Sequence, residues 1–541
     1  MTTPLLNRLL ANAKGAGLDR REVLRLASML GLGVGGMAAC APTTGRRRTL
    51  RISAQLTDMR DIHSNTGVYS SNVVNPTLDY LCTVDPSGAT RGALAERWTA
   101  SEDLRTWTFH LRKTARWRKG GPVTADQVLW NWRRWVDPKV GSAYLGCVTA
   151  YMMKRQVNKP SADRDAPHET WVPWDASLFE KLDDHTIQVN LKQPAVTVAE
   201  DLFTASSLIT DPEEGGQFVT GCNGTGPFEL LEYRVNDQAI YRALDSSWRG
   251  RPQVDRLEFV DPGNDPAVIA AALVSNEIQG VVELSPQNAL LFQHSPDIRV
   301  YAAQSAATRL IRAHCDIEPF HDARVRRAMR LAVDPAQVVQ LALGGWGTAG
   351  QHTHVSPTQP DHGQVIAMQQ DLPEARRLLA QAGYAKGFKT TLSTNSSDPP
   401  SLKSAQVVAQ MWSKIGIDAA IQSLPNELFF THWQEFPLSV TGWAHRPLAI
   451  MTLALSYRSG ALWNESHYSN PAIDALIDQA QLVLDPVKRS VQIGQIQRLL
   501  QEDGPLVQPI WMPTTSAFHR SVTGVKPHPM AYYPCEHISY A

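Results

Sequence analysis

Trp107, Phe109 and Leu111 alternate with Thr108, His110 and Arg112, a period of two that predicts a strand with one buried face. The turn Lys119-Gly120-Gly121-Pro122 follows. Thr124 with Gln127 three residues later forms a capping box, and Val128, Leu129, Trp132 and Trp135 then fall on one side of a helix that Asp137-Pro138 stops. Ile187, Val189 and Leu191 give a second alternating strand, and Thr225-Gly226-Pro227 leads into a third at Phe228-Glu229-Leu230. Asp265-Pro266 opens a helix as N-cap and first-turn proline, with Val268, Ile269, Ala272 and Leu273 on its inner face, and Gly280 ends it before Val281-Val282.

Further on, helices are predicted from Asp322 to Leu331, from Asp334-Pro335 to Leu343 with Gly344 behind it, and from Pro373 to Ala382 with Gly383 behind it. Phe388 to Leu392 then reads as a strand, Ser401 to Ile415 as a helix stopped by Gly416, and Ile417 to Ile421 as a strand. Strand, crossover helix, strand argues for parallel pairing and an α/β body. No internal repeat or low-complexity block stands out.

The N-terminal segment follows a different pattern. Arg20 and Arg21 precede a short Gly-rich apolar run, roughly Ala27 to Ala39, which is the order of an export signal. The run is shorter than the ~20 residues a membrane-spanning helix needs. Met37-Ala38-Ala39-Cys40 resembles the lipobox of bacterial lipoproteins, with Cys40 as the lipidated residue, and Asp19-Arg20-Arg21 resembles a twin-arginine signal. The other reading is an amphipathic N-terminal helix with a buried Cys40. Residues 41 to 49 lack apolar periodicity and read as a tether, which leaves a body of about 490 residues, enough for two or three domains.

Lys plus Arg and Asp plus Glu are both 52, so the net charge is zero and nothing marks a nucleic-acid footprint. Five cysteines remain after Cys40, an odd number without a CxxC pair; spacing assigns no disulfides and indicates no structural zinc. P-loop, HExxH and GxSxG motifs are absent. Gly221, Gly224 and Gly226 lead into a strand rather than a helix N-terminus, so they read as a tight turn and not a phosphate cradle. His352, His354 and His362 have metal-like spacing in a loop rich in Gly, Pro and Gln, where solvated histidines are expected rather than a metal site. Glu213 and Glu214 read as a solvated corner. No catalytic residue, metal or cofactor is predicted, and an exported hydrolase would have no motif behind it.

The stretch from Gly92 to Trp98, continued by WTFHLRKTARWRKGGPVTADQV, resembles the signature of the extracytoplasmic solute-binding proteins of peptide/nickel ABC transporters, family 5. GTGPFELLEY at 224, PFHDARVRRAMRLAVD at 319, EARRLLAQAGYAKGF at 374 and YSNPAIDALIDQA at 468 match in the family's order. The resemblance covers residue 50 to the C-terminus. It implies a periplasmic-binding-protein-like α/β fold: two α/β lobes around a ligand cleft, with an extra inserted domain in the first lobe. Lobe one is then expected at 50–80, 213–305 and 505–541, the inserted domain at 81–212 and lobe two at 306–504. It also implies a non-enzymatic, monomeric receptor. Such a receptor is periplasmic or lipid-anchored at the outer face of the cytoplasmic membrane, closes on a peptide or peptide-like ligand and delivers it to an ABC permease and ATPase complex.

One segment departs from the family. Thr441-Gly442-Trp443-Ala444-His445-Arg446-Pro447 stands where peptide-binding relatives resemble Gly-Trp-x-x-Asp-Tyr, whose aspartate pairs with the peptide's ammonium. Here no acid follows until Glu465, and an unpaired buried ammonium costs several kcal/mol. Either another acid supplies the charge or the ligand has no free amine at that point. Arg446 is suited to a bidentate carboxylate or phosphate, and His445 to a hydrogen bond or a metal, which favours an acidic small molecule or nickel chelate as the alternative ligand. Trp443 is a candidate cleft wall, or else a core tryptophan. Tyr69 and Asn395 are candidates by family position, Asn395 at a strand-helix junction.

Overall fold

The computed structural model describes residues 48–64, 71–158, 168–263 and 265–540. The export-signal segment, Cys40, most of the tether and Tyr69 lie outside the described residues. Among the described residues no helix is long and apolar enough to cross a membrane.

One eleven-stranded sheet runs through both lobes. At one side lie Phe228–Arg234, Gln238–Ala243, Arg256–Val260, Thr49–Ser53 and Gly280–Val281, and at the other Leu438–Trp443, Phe388–Asn395 and Ile417–Leu424. Two long antiparallel strands, Ile298–Ala313 and Leu506–His519, pass from one side to the other. Gly280 pairs with Phe518 at one end, whereas Thr308 to Ala313 pair with Trp443 to Leu438 at the other. The ladder between the two long strands shifts register between Ala303 and Ala307 and again between Arg309 and Ile311.

The local predictions are matched by their physical causes. Thr106–Leu111 buries Trp107, Phe109 and Leu111 on one face, and the helix Ala125–Trp135 begins at a Thr124/Gln127 capping box. Asp265, Asp322 and Asp334 each accept a backbone N–H as N-caps, a contact of about 1 kcal/mol. Phe388–Asn395 and Ile417–Leu424 pair in parallel through the helix Pro399–Ser413. In the helix Ala323–Leu331, Arg326 and Arg330 are buried and donate to the carbonyls of Asp503, Gln501 and Glu502 at the end of the helix Pro486–Glu502. Cations there satisfy carbonyls that have no partner within their helix and complement its dipole.

Residues from Leu81 to Ile209 build a hydrophobic core of their own. A four-stranded sheet, in the order Ala95–Ala100, Thr106–Leu111, Thr186–Asn190 and Phe179–Asp183, packs there against the helix bearing Trp132 and Trp135. Two of this region's side chains, Leu104 and Val196, belong instead to the cluster that contains Trp443. The Val196 N–H also donates to Gln481 Oε1, at 3.2 Å.

Three expectations are corrected. The helix opened by Asp265 ends at Val274, and Gly280 is a strand residue; a Cβ there would lie 2.2 Å from the Phe518 ring, which is why glycine occupies it. Val268 faces solvent at 44% exposure, because Ala270 and Leu273 define the inward face one step round the helix. His352 and His354 are not solvated: they are 1% and 3% exposed, and His362 is intermediate. Their loop is clasped by backbone contacts, with the N–H groups of Gly350 and His352 donating to Pro509 and Gln508, and Gly363 lying against Gly494. Burial drives both imidazoles down to about 3, so they sit neutral in the fold.

Glu214 is likewise more engaged than a solvated corner, pairing with Lys119 and accepting the Asn223 N–H. The glycine turn behaves as expected. A Cβ on Gly224 or Gly226 would lie 2.1 Å or 2.4 Å from the carbonyl oxygens of Thr77 and Pro76, so these glycines serve a close backbone approach. Cys82, Cys147, Cys222, Cys315 and Cys535 are all free thiols.

Candidate ligand cavity

The strand Leu438–Trp443 is buried at five of its six positions between the crossing strand and Phe388–Asn395. It ends at Trp443, and the next helix, Ala449–Ser456, begins six residues on. Asp361 fixes that helix start by accepting the N–H groups of Ala449 and Ile450, at 2.7 and 3.3 Å, and pairs with Arg489 at 3.1 Å. Both members of this pair are essentially without exposure, at 0% and 1%. Residues 444 to 448 are thus held taut between a strand end and a capped helix.

Beneath them, the Trp443 indole N–H donates to Glu465 Oε1 at 3.0 Å. The other Glu465 oxygen accepts Thr441 Oγ1 at 2.8 Å and Arg312 Nε at 3.2 Å. Burial pushes the Glu465 carboxyl up, and Arg312 with the two neutral donors pulls it back. The first acid after the motif is therefore engaged below the cavity floor by an internal arginine.

Above the floor is a cavity of about 650 Å³, within the range of small-molecule sites. It is lined by Tyr80 and Tyr532, by Cys147, Glu200 and Phe203, and by Trp433, Trp443, His445, Arg446 and Trp463, from distant parts of the chain. Aromatic rings recur around the walls, and the charged groups are few. His445 Nδ1 accepts the Ala306 N–H at 2.8 Å, which leaves the ring proton on Nε2. Burial drives this imidazole down to about 3, so it acts as a neutral donor.

Arg446 lies over the Trp463 ring, 5.6 Å from its centroid, with Nη1 3.7 Å from Cys147 Sγ. Among the described residues no carboxylate comes within 4.0 Å of its guanidinium. Asp201 lies nearby, but burial pushes its carboxyl up to about 6 while it accepts Tyr151 and Thr197. Burial also raises Glu200, which is hydrogen-bonded to Thr90. Among the described residues the guanidinium is thus held by a ring and a thiol and has no carboxylate in ion-pair contact.

Trp443, His445 and Arg446 thus line one cavity. Trp443 is also core: it is 6% exposed and packs edge-on against His354 and Trp463. Asn395 is placed differently. It sits at the end of its strand, donates to Asn426 Oδ1 at 2.7 Å, accepts the Ser397 N–H, and is not among the lining residues. Sequence reasoning missed Trp433, Trp463, Phe203 and Glu200. Trp463 carried a signal, a tryptophan in the polar run Leu462-Trp463-Asn464-Glu465 without apolar periodicity to explain it.

Comparison with known proteins gives one consistent picture. The family model described as bacterial extracellular solute-binding proteins, family 5, middle, matches residues 89–464. The periplasmic oligopeptide-binding protein OppA of Haemophilus influenzae is 26% identical over 476 residues, covering 83% of this chain and 85% of its own length. The glutathione-binding protein GsiB of Escherichia coli K12 is 24% identical over 518 residues, covering 92% and 94%. The Helicobacter pylori periplasmic binding protein DppA, solved in complex with the peptide STSA, superimposes with a TM-score of 0.73 at 21% identity, covering 91% of this chain and 98% of its own.

Proposed function

The chain belongs to the bacterial extracellular solute-binding proteins of family 5, and from that membership we propose that it is the exported receptor of an ABC importer, tethered by lipid on Cys40, for a short peptide or peptide-like ligand held through a carboxylate. Relatives of this family named for binding oligopeptides and glutathione support the peptide class. The observation that carries the carboxylate is Arg446: a guanidinium stacked on Trp463, inside a cavity, without an acid to pair with. His445 adds a neutral donor beside it. Two donors without a compensating acceptor suit a planar anion, which a guanidinium grips in bidentate fashion. Glu200, the carboxylate among the described lining residues, is already hydrogen-bonded to Thr90. Binding requires no covalent step; the ligand acts by stabilising the arrangement in which lobe one, the inserted region and lobe two enclose it.

The test is a thermal-shift and titration series with three tripeptide pools: free termini, N-acetylated and C-amidated. Ligand bound only by the folded state raises the melting temperature. The expected result is a shift with the free and acetylated pools, none with the amidated pool, and at least a tenfold weaker affinity in Arg446→Gln. Equal shifts from the amidated and free pools would remove Arg446 as the anchor. A shift from acidic metabolites or nickel-histidine alone would replace peptides as the ligand class, and recovery of cleaved peptide would point to a hydrolase. For the tether, Cys40→Ala is expected to move the protein from the membrane fraction to the soluble one; retention in the membrane would end the lipid reading.

A further inference from the structure

The strand that carries Arg312 ends at Ala313, and the turn after it holds His314 and Asp316, while the loop that carries Glu465 continues to His467. The two segments lie side by side, since the Cys315 N–H donates to the Ser466 carbonyl at 2.8 Å. The imidazoles of His314 and His467 face one another with centroids 4.0 Å apart and planes 39° apart. His467 Nδ1 is 3.1 Å from Asp316 Oδ2, and one ligand atom from each of the three residues lies within 4.8 Å of the others. His467 holds φ at 51°, a conformation that side chains with a Cβ adopt at a cost. That backbone turns its ring toward His314.

From this convergence we propose that His314, Asp316 and His467 form a binding site for a divalent transition ion of the zinc class, on lobe two and apart from the ligand cavity, which none of the three lines. Two imidazole nitrogens and one carboxylate oxygen are a donor set for zinc, nickel or copper, with water completing the shell on the exposed side. His314 is 7% exposed and anchors the site, whereas the Asp316 and His467 side chains are 65% and 47% exposed and open to an entering ion. A plain His467–Asp316 ion pair accounts for one contact, and the His314 ring is oriented beside it by the Asp316 N–H, which its Nδ1 accepts at 3.4 Å. The positive charge nearest in sequence, Arg312, is already paired with Glu465, so the ion meets no unbalanced guanidinium. Arg312 and Glu465 stand two residues before His314 and His467, so the ion clamps the two segments that support Trp443.

The experiment takes tag-free protein, stripped with chelator, and measures zinc chloride uptake at pH 7.5 by equilibrium dialysis, with cobalt(II) chloride as a spectroscopic probe. His467→Ala and Asp316→Asn alter exposed side chains, and circular dichroism checks that both fold. One equivalent of zinc in the wild type, a cobalt absorption band, and at least a tenfold weaker affinity in each variant are expected. Failure of the wild type to take up one equivalent, or uptake by His467→Ala equal to the wild type, would overturn the site.

Discussion

Glu465→Ala is expected to destabilise the folded chain by about 3–5 kcal/mol, because it leaves the Arg312 guanidinium buried without a counter-charge. The same change strips the Trp443 indole and the Thr441 hydroxyl of their acceptor. Two controls separate these effects. Glu465→Gln keeps a carbonyl for the indole but loses the charge, so its deficit comes mainly from Arg312. Adding Arg312→Met to Glu465→Gln is expected to recover a large part of that loss, as paired removal of a buried ion pair commonly does. Denaturant unfolding followed by tryptophan fluorescence and circular dichroism measures all three. An alanine variant within 1 kcal/mol of the wild type would mean that the cavity floor admits water to Arg312 and is not the dry support described above.

Asp361→Ala is expected to cost a similar amount, about 3–5 kcal/mol, for a related reason and a second one. Among the described residues, Arg489 would lose the one carboxylate it pairs with while remaining held by the carbonyls of Val483 and Leu484, and the helix Ala449–Ser456 would lose the oxygens that accept its first N–H groups. Asp361→Asn restores an acceptor without the charge, so it is expected to recover about 1 kcal/mol, the worth of a cap. Equal loss in the two variants would assign the whole effect to Arg489. Because the capped helix follows directly on 444–448, ligand affinity is expected to fall along with stability. The neighbourhood cannot relax easily, since Gly363 lies against the backbone of Gly494 and a Cβ there would come within 2.2 Å.

What the sequence disclosed was local. The period of two at Trp107, the capping box at Thr124 and the parallel crossover from Phe388 to Ile421 are each decided within a few residues, and each holds in the fold. The family motifs also spoke locally: Arg326 and Arg330 in the run from Pro319 to Asp334 are helix-end donors whose partners lie some 170 residues away, so the motif named a scaffold without revealing what it did. The histidine loop was misread because its composition is polar, while its burial comes from segments near 494 and 508 that no local pattern records. Trp443, His445 and Arg446, which line one cavity, stand out in the sequence because they break a family pattern. Trp463 and Glu200 do not, because Trp463 meets Arg446 through a loop contact 17 residues on and Glu200 reaches the cavity from a distant part of the chain, and no local pattern records either. Asn395 shows the limit of position alone, since the strand-end rule located the junction and Asn426 and Ser397 had already engaged the side chain.

The intrusion of Leu104 and Val196 into the cluster that contains Trp443 has a thermodynamic consequence. An opening that parts residues 81–209 from this cluster would return those two side chains to water, and the reverse motion would dehydrate them again. The affinity recorded for a ligand therefore contains a contribution in which no ligand atom takes part. Dehydration of apolar surface carries a negative heat capacity. The heat of binding should steepen with temperature by more than the ligand's own surface explains, and weak and strong ligands should share that common slope.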